Sequence, residues 1–64
     1  MIALRRPNGH PLIVNADLIE TVESVTGGAT AVTLTTGNVL EVVETPEAVR
    51  EAVLAFRRAI VPGR

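Results

Sequence analysis

Glycine-containing turn signals divide most of the chain into short segments, and this limits what the chain can fold into. The signals are Asn8-Gly9, Gly27-Gly28 and Gly37. Asn-Gly favours the positive φ angles of a type I′ turn, and the apolar residues on both sides predict a hairpin with strands at about 2–6 and 10–14. Short segments between turns are typical of strands in a small antiparallel sheet.

The segment after the first hairpin begins with a polar interruption. The Asn15 side chain can accept a hydrogen bond from the backbone N–H two residues on, which closes one tight turn. Apolar residues then fall at positions 19, 22 and 25, a spacing that suits a helical face as well as a strand. Because four of the seven residues over 19–25 are β-branched, we predict a strand at about 18–25, with a helix or a β-bulge that shifts the alternation as the alternatives.

Two more strands are predicted on either side of Gly37. Over 30–36, Val32 and Leu34 alternate with alanine and threonine, which predicts a strand that is buried on one face only. The segment 39–43 has apolar residues on both of its faces. Its outer face is therefore predicted either to be covered by a partner or to add to an exposed apolar patch.

Thr45-Pro46-Glu47 predicts the start of a helix over about 46–60. Threonine is a favoured N-cap, proline suits the first helical position, and an acid interacts well with the positive end of the helix dipole. Leu54 is predicted to lie on the exposed side of this helix. The apolar stripe that packs on the sheet is predicted to consist of Val49, Val53, Phe56 and Ile60.

The predicted fold class is α+β, with a small antiparallel sheet of four or five strands, connected as β-hairpins, and one C-terminal helix packed on one face. A chain of 64 residues allows only one small domain. We expect this domain to span residues 1–61, followed by a C-terminal tail at 62–64.

Composition leaves few routes to catalysis. The chain has no cysteine and one histidine, His10, which follows a turn glycine without a local partner to activate it. Glu20 and Glu23 are three residues apart, so a regular strand would place them on opposite faces, whereas an acid and base pair must share one cleft. We therefore predict that the protein is not an enzyme and uses no cofactor and no metal ion.

Charge and hydropathy restrict the partners. Six basic and seven acidic residues give a net charge of −1, and Phe56 is the single aromatic residue, so a nucleic-acid partner is disfavoured. Apolar runs are far shorter than the roughly 20 residues needed to span a bilayer. Arg5 and Arg6 interrupt the N-terminal segment where the apolar region of a signal peptide would run. We expect a cytoplasmic protein that reaches a membrane only through a partner.

The predicted core is small. A chain of 64 residues buries only about 60% of its unfolded surface, and no disulfide or metal site is predicted to add stability. Self-association or binding to another protein is the usual additional stabiliser for such a chain. We therefore predict a homo-oligomer or a protein that binds a larger partner.

Short motifs follow one another in a fixed order along nearly the whole chain. They are Ile2-x-Leu4, Arg6-x-Asn8-Gly9, Asn15, Leu18-Ile19-Glu20-x-Val22-Glu23, Val32-Thr33-Leu34-x-x-Gly37, Val42-x-Glu44, Val49 and Phe56-Arg57. In order and separation, this pattern resembles the small flagellar protein family called FlbD, also known as SwrD. The chain departs from the family at Pro7, where an apolar residue is usual, and at 25–29, which replaces a shorter turn.

The resemblance implies a non-enzymatic, cytoplasmic accessory protein of bacterial motility and swarming, needed for full motor power, with the stator units of the flagellar motor as its target. Glu20, Glu23 and Glu44 are family-like polar positions, and we predict that these three contact glutamates bind the partner protein. The predicted structural turn residues are Asn8, Gly9, Asn15 and Gly37. Two alternatives remain open, namely a self-assembling structural domain unrelated to the motor and a small nucleic-acid-binding β module.

Overall fold

Five strands and one helix are found in the described part of the chain, residues 1–60 of a computed structural model. The strands pair into two antiparallel sheets, one of β1 and β2 and one with the order β3-β4-β5. The elements are β1 (Ile2–Arg5), β2 (Pro11–Val14), a 3-10 turn (Ala16–Leu18), β3 (Ile19–Ser24), β4 (Thr30–Leu34), β5 (Val39–Val42) and α1 (Pro46–Ile60). The α+β class and the C-terminal helix are confirmed, but the prediction of one sheet with four or five strands is wrong.

The two sheets meet where β1 ends and where the chain leaves β5. The backbone N–H of Val43 donates to the Arg5 carbonyl at 2.9 Å, and the Arg5 N–H donates to Oε1 of Glu44 at 3.0 Å. The chain bends at Val43 and Glu44 toward the helix, so only one backbone hydrogen bond forms there. A β-ladder between strands needs several successive backbone hydrogen bonds. The structure therefore has two sheets where the sequence predicts one.

The first hairpin turn differs from the predicted type I′ turn. Gly9 has a φ of 91°, whereas no other residue type in the described chain has a positive φ, so Asn8 cannot adopt the type I′ geometry. The Gly9 N–H donates to the Arg6 carbonyl at 2.8 Å and the Arg6 N–H donates to the His10 carbonyl at 2.9 Å. Pro7 explains the difference, because its ring fixes φ near the value of about −60° that the second residue of a type I turn requires. Glycine then follows as a bulge residue.

The other two hairpins close with the same pair of hydrogen bonds. Val25 accepts from the Gly28 N–H at 3.3 Å and donates to the Ala29 carbonyl at 3.0 Å. Leu34 accepts and donates in the same way, at 2.9 and 2.8 Å. Each paired strand is thus joined to its partner by a short local turn.

A β-bulge explains the spacing of apolar residues in β3. Ile19 is opposite Leu34 and Thr21 is opposite Thr33, so Glu20 is an extra residue without its own partner. The bulge returns Ile19 and Val22 to the same face, which produces the apolar spacing of three. The strand prediction is confirmed, together with the bulge that it left as an alternative.

Strand β4 is the central strand of the three-stranded sheet and is buried on both faces at one end. Thr30 and Val32 are buried on the inner face, and Ala31 is 8% exposed on the outer face. Ala31 lies in register between Glu23 and Glu41, whose longer side chains flank its methyl group. The prediction that only one face of this strand is buried is wrong, because a small residue between two long ones is covered by its neighbours.

The helix packs on the inner faces of both sheets and completes one core. Thr45 caps it, since Oγ1 accepts from the Ala48 N–H at 3.1 Å, and the predicted range of the helix is confirmed. Val49 is fully buried, and Val53 and Phe56 pack against the core at half burial. The predicted core position of Ile60 and the predicted tail at 62–64 lie outside what the structure describes. The buried core consists of Ile2, Leu4, Val14, Ala16, Val32, Val42 and Val49.

Candidate protein-binding surface

The predicted turn residues have local structural roles. The Asn8 carboxamide oxygen accepts from the His10 N–H at 3.0 Å, and the Asn15 carboxamide oxygen accepts from the Asp17 N–H at 3.0 Å. Gly37 has a φ of 95°, which L-amino acids with a side chain rarely adopt. These contacts all lie within their own turns and place no side chain in a cleft.

The three contact glutamates are not gathered in one place. Glu44 is half-buried and its carboxylate accepts the Arg5 N–H, so it joins the two sheets. Glu20 and Glu23 are both exposed on β3. Glu20 is the bulge residue, so the argument that separates the two carboxylates by strand alternation does not hold across it.

The outer face of the three-stranded sheet is uncovered in the described chain. This outer face is formed by Thr21, Glu23, Ala31, Thr33, Val39 and Glu41. Glu23 and Glu41 are exposed on the two strands beside β4, with Ala31 between them. The sequence alone does not predict that Glu23 and Glu41 lie on either side of the same β4 residue, because the strand register depends on the bulge and on turn geometry.

An apolar groove lies between α1 and β3. Its volume is about 360 Å³, and Glu47 and Arg50 lie among its lining residues. Leu54 is half-buried in this groove rather than exposed on the far side of the helix, so its predicted position is wrong. Leu54 lies on the side of the helix that faces β3, an end strand of the sheet. The apolar lining of this α1–β3 groove is Ile19, Val22, Pro46, Val49, Val53 and Leu54.

The groove lies beside the open edge of β3, one of the two end strands of its sheet. In an antiparallel ladder, opposed residues alternate between pairs that exchange hydrogen bonds and pairs that do not. The Val25 N–H donates to Ala29, so the Ser24 and Val22 pairs with β4 are of the non-bonded kind. The N–H and C=O groups of Val22 and Ser24 therefore point away from β4, toward the open edge.

No group of three or more histidine, cysteine, aspartate or glutamate side chains in the described part of the chain is placed to hold a metal ion. Arg50 and Glu51 form an ion pair at 3.6 Å with both side chains well exposed, so it adds little stability. No helix within residues 1–60 is both long and apolar enough to cross a bilayer.

Fold and surface together define a small α+β domain that combines an apolar groove with an open strand edge, a combination that suits the binding of peptide segments. The chain belongs to the FlbD family, described as flagellar and swarming motility proteins, whose family model matches residues 1–61. The resemblance found in the sequence is thus confirmed, and the chain is a flagellar and swarming motility protein. No curated protein and no solved structure matches it.

Proposed function

We propose that this protein is a non-enzymatic, cytoplasmic accessory protein that supports the power of the flagellar motor by binding the stator. The observation that supports this role most strongly is the FlbD family match over residues 1–61. The groove and the open strand edge add a physical means of binding another protein without catalysis. The protein reaches the membrane through this partner.

Exposed carboxylates give this binding its orientation. Glu20 and Glu23 are exposed on one strand, and opposite charges on a partner would steer the encounter and fix the register of the complex. Glu44 contributes by holding the segment after β5 against β1. A neutral replacement that keeps the shape of each side chain should therefore weaken binding while the fold is retained.

The cellular test uses a strain that lacks the gene. Loss of the protein is expected to reduce swimming in viscous medium and swarming, because both require high motor torque, while filaments still assemble. Expression of the gene from another site should restore both. Unchanged motility under load in the deletion strain would contradict the proposed function.

The contact test replaces all three contact glutamates with glutamine. We expect clearly reduced crosslinking to stator proteins in cells, with an unchanged far-UV circular dichroism spectrum of the purified protein. The matched control variant changes Asp17→Asn, Glu41→Gln and Glu51→Gln, all at exposed positions. Equal crosslinking by the triple-glutamine variant and this control would show that the contact glutamates do not bind the stator.

Self-association is the second candidate function, and exposed aliphatic side chains favour it. Ile13 is 63% exposed and Val39 is 60% exposed, both on strands. Sheet faces with such residues are often covered by a second copy in small domains. Sedimentation velocity over a range of protein concentrations tests this function, since a monomer throughout that range excludes a structural self-assembling role.

A further inference from the structure

Four strands end a sheet in the described chain, namely β1, β2, β3 and β5, and the chain leaving β5 contacts β1 through the Val43–Arg5 hydrogen bond. The edge of β3 differs from that of β2, the other end strand outside this contact. The edge of β2 begins with Pro11, which has no N–H to donate, and β2 is only four residues long. Along β3, Val22 and Ser24 direct both a donor and an acceptor away from the sheet, as the ladder alternation requires. Of these two edges, β3 therefore has the fuller set of groups for pairing with an additional strand.

An additional strand on this edge would place side chains in the α1–β3 groove. Neighbouring strands lie about 4.8 Å apart, and alternate side chains of the added strand would point inward, on the same side as Val22. There they would contact Val53 and Leu54, which line the groove. A volume of about 360 Å³ is near the lower end for ligand sites and suits a few aliphatic side chains.

The charges beside this edge indicate what the other side chains of the added strand should be. Side chains that point outward would lie next to Glu23, and Glu20 is exposed on the same strand. The ion pair between Arg50 and Glu51 is the one salt bridge in the described chain, so neither carboxylate of β3 is neutralised there. Lysine or arginine at the outward positions would complement both.

A second copy of this chain fits the edge poorly. A two-fold antiparallel pairing that uses the free groups of Val22 and Ser24 would centre on Glu23. It would place two Glu23 carboxylates directly opposite each other, and like charges at opposed positions destabilise a strand pair. The bulge at Glu20 further interrupts the regular pairing of this edge.

We propose that the open edge of β3 and the α1–β3 groove together bind an extended segment of a partner protein in which apolar residues alternate with lysine or arginine. Backbone hydrogen bonds to Val22 and Ser24 provide affinity, and the groove selects the apolar side chains. This inference rests on the proposed function only in that the protein acts by binding another protein. Beyond that function, the inference specifies the chemistry of the bound segment and where it lies on the surface.

The binding test uses the full-length, isotope-labelled chain and a short capped peptide in which valine alternates with lysine. We expect amide shifts in β3 and α1, together with slower hydrogen exchange at Val22 and Ser24. A peptide with glutamate in place of lysine should bind about tenfold more weakly, because it faces Glu20 and Glu23. Equal binding of the two peptides, or shifts confined to other elements, would overturn the proposal.

Two methylated peptides test whether backbone pairing is used. One peptide has N-methyl groups on its valines and the other on its lysines, so each lacks the N–H donors along one of its two edges. If the peptide pairs with β3 through one edge, methylation of that edge should weaken binding about tenfold, and methylation of the other edge should leave the affinity unchanged. Equal affinities for both would show that β3 does not pair with the peptide.

Substitutions in the protein, rather than in the peptide, test the same binding site. Ser24→Pro removes a donor at the open edge without removing a bond to β4, and Leu54→Glu places a charge in the groove. Each should weaken the valine–lysine peptide about fivefold or more, whereas Ser24→Ala and Leu54→Met should bind normally. If Ser24→Pro fails to fold by its amide spectrum, Leu54→Glu and the methylated peptides decide the question.

Two further outcomes separate this inference from the proposed function. A strain with Leu54→Glu that is fully motile under load, while the deletion strain is not, would overturn the groove as the working site and leave the motor role intact. Conversely, the purified protein could bind the peptide as expected while the deletion strain remains fully motile. That result would support the binding site and contradict the motor role. Concentration-dependent protection of Val22 and Ser24 without peptide would assign the edge to a second copy and overturn the proposal.

Discussion

The Glu44 carboxylate has an internal partner, although its sequence context suggests a surface contact. It accepts the N–H of Arg5, a residue 39 positions away, at the seam between the two sheets. Neither the distance along the chain nor the bend after β5 is visible in a local pattern. This residue therefore stabilises the fold, whatever it also contacts in a complex.

We expect Glu44→Ala to lower the free energy of unfolding by about 1 kcal/mol, the net contribution of a typical hydrogen bond. Glu44→Gln should cost less, because its carboxamide oxygen can still accept the Arg5 N–H. Urea denaturation followed by circular dichroism measures both, with the exposed Glu51→Ala as the control. Equal losses for Ala and Gln at position 44 would show that the hydrogen bond is unimportant.

At Gly37, the energetic cost of a positive φ can be measured without steric crowding of an added side chain. A Cβ atom added there meets no atom within 4 Å, so a side chain would have space, but the φ of 95° disfavours it. We expect Gly37→Ala to lower the free energy of unfolding by about 1 kcal/mol, and Gly37→Asn to cost less because asparagine tolerates positive φ better. The same urea titration measures both variants. A Gly37→Ala protein as stable as the wild type would contradict the assigned turn geometry.

At the scale of single elements, local signals predict the structure well and non-local ones do not. The start of the helix follows from Thr45 and Pro46, because capping and the fixed φ of proline act within one turn. The split of the sheet and the half-burial of Leu54 depend on how distant segments meet, and no local pattern contains that information. At the first turn, Asn8-Gly9 is a true hairpin signal, but Pro7 determines the turn type.

The helix cap can be tested directly. Thr45→Ala removes the acceptor for the Ala48 N–H and should lower the free energy of unfolding by about 1 kcal/mol, whereas Thr45→Ser keeps the hydroxyl and should cost little. Thermal unfolding monitored by circular dichroism measures the difference. If Thr45→Ser is as unstable as Thr45→Ala, the side-chain cap is not what stabilises the start of α1.

At the scale of the whole molecule, one core joins both sheets and the helix. Ile2 from β1, Val32 from β4 and Val49 from α1 belong to the same buried cluster. The sheets share only one backbone hydrogen bond, between Val43 and Arg5, so packing rather than pairing holds them together. We therefore expect the described elements to unfold in a single transition.

Val49→Ala tests this shared core. The fully buried side chain should cost about 2 kcal/mol when truncated, and the amide signals of β1 and β4 should disappear at the same, lower urea concentration. Val39→Ala makes the same chemical change at a position that is 60% exposed and should have little effect. Loss of the β4 signals while those of β1 persist would show that the two sheets unfold independently.

The three hairpin turns also affect how the protein is made. Every strand that pairs does so with the strand next to it in sequence, across a turn of a few residues. Each hairpin can thus form during synthesis, as soon as its second strand leaves the ribosome. Topologies dominated by such local contacts fold within about milliseconds. Synthesis adds only about 5–20 residues per second, so folding is faster than synthesis and new strands are exposed to aggregation only briefly.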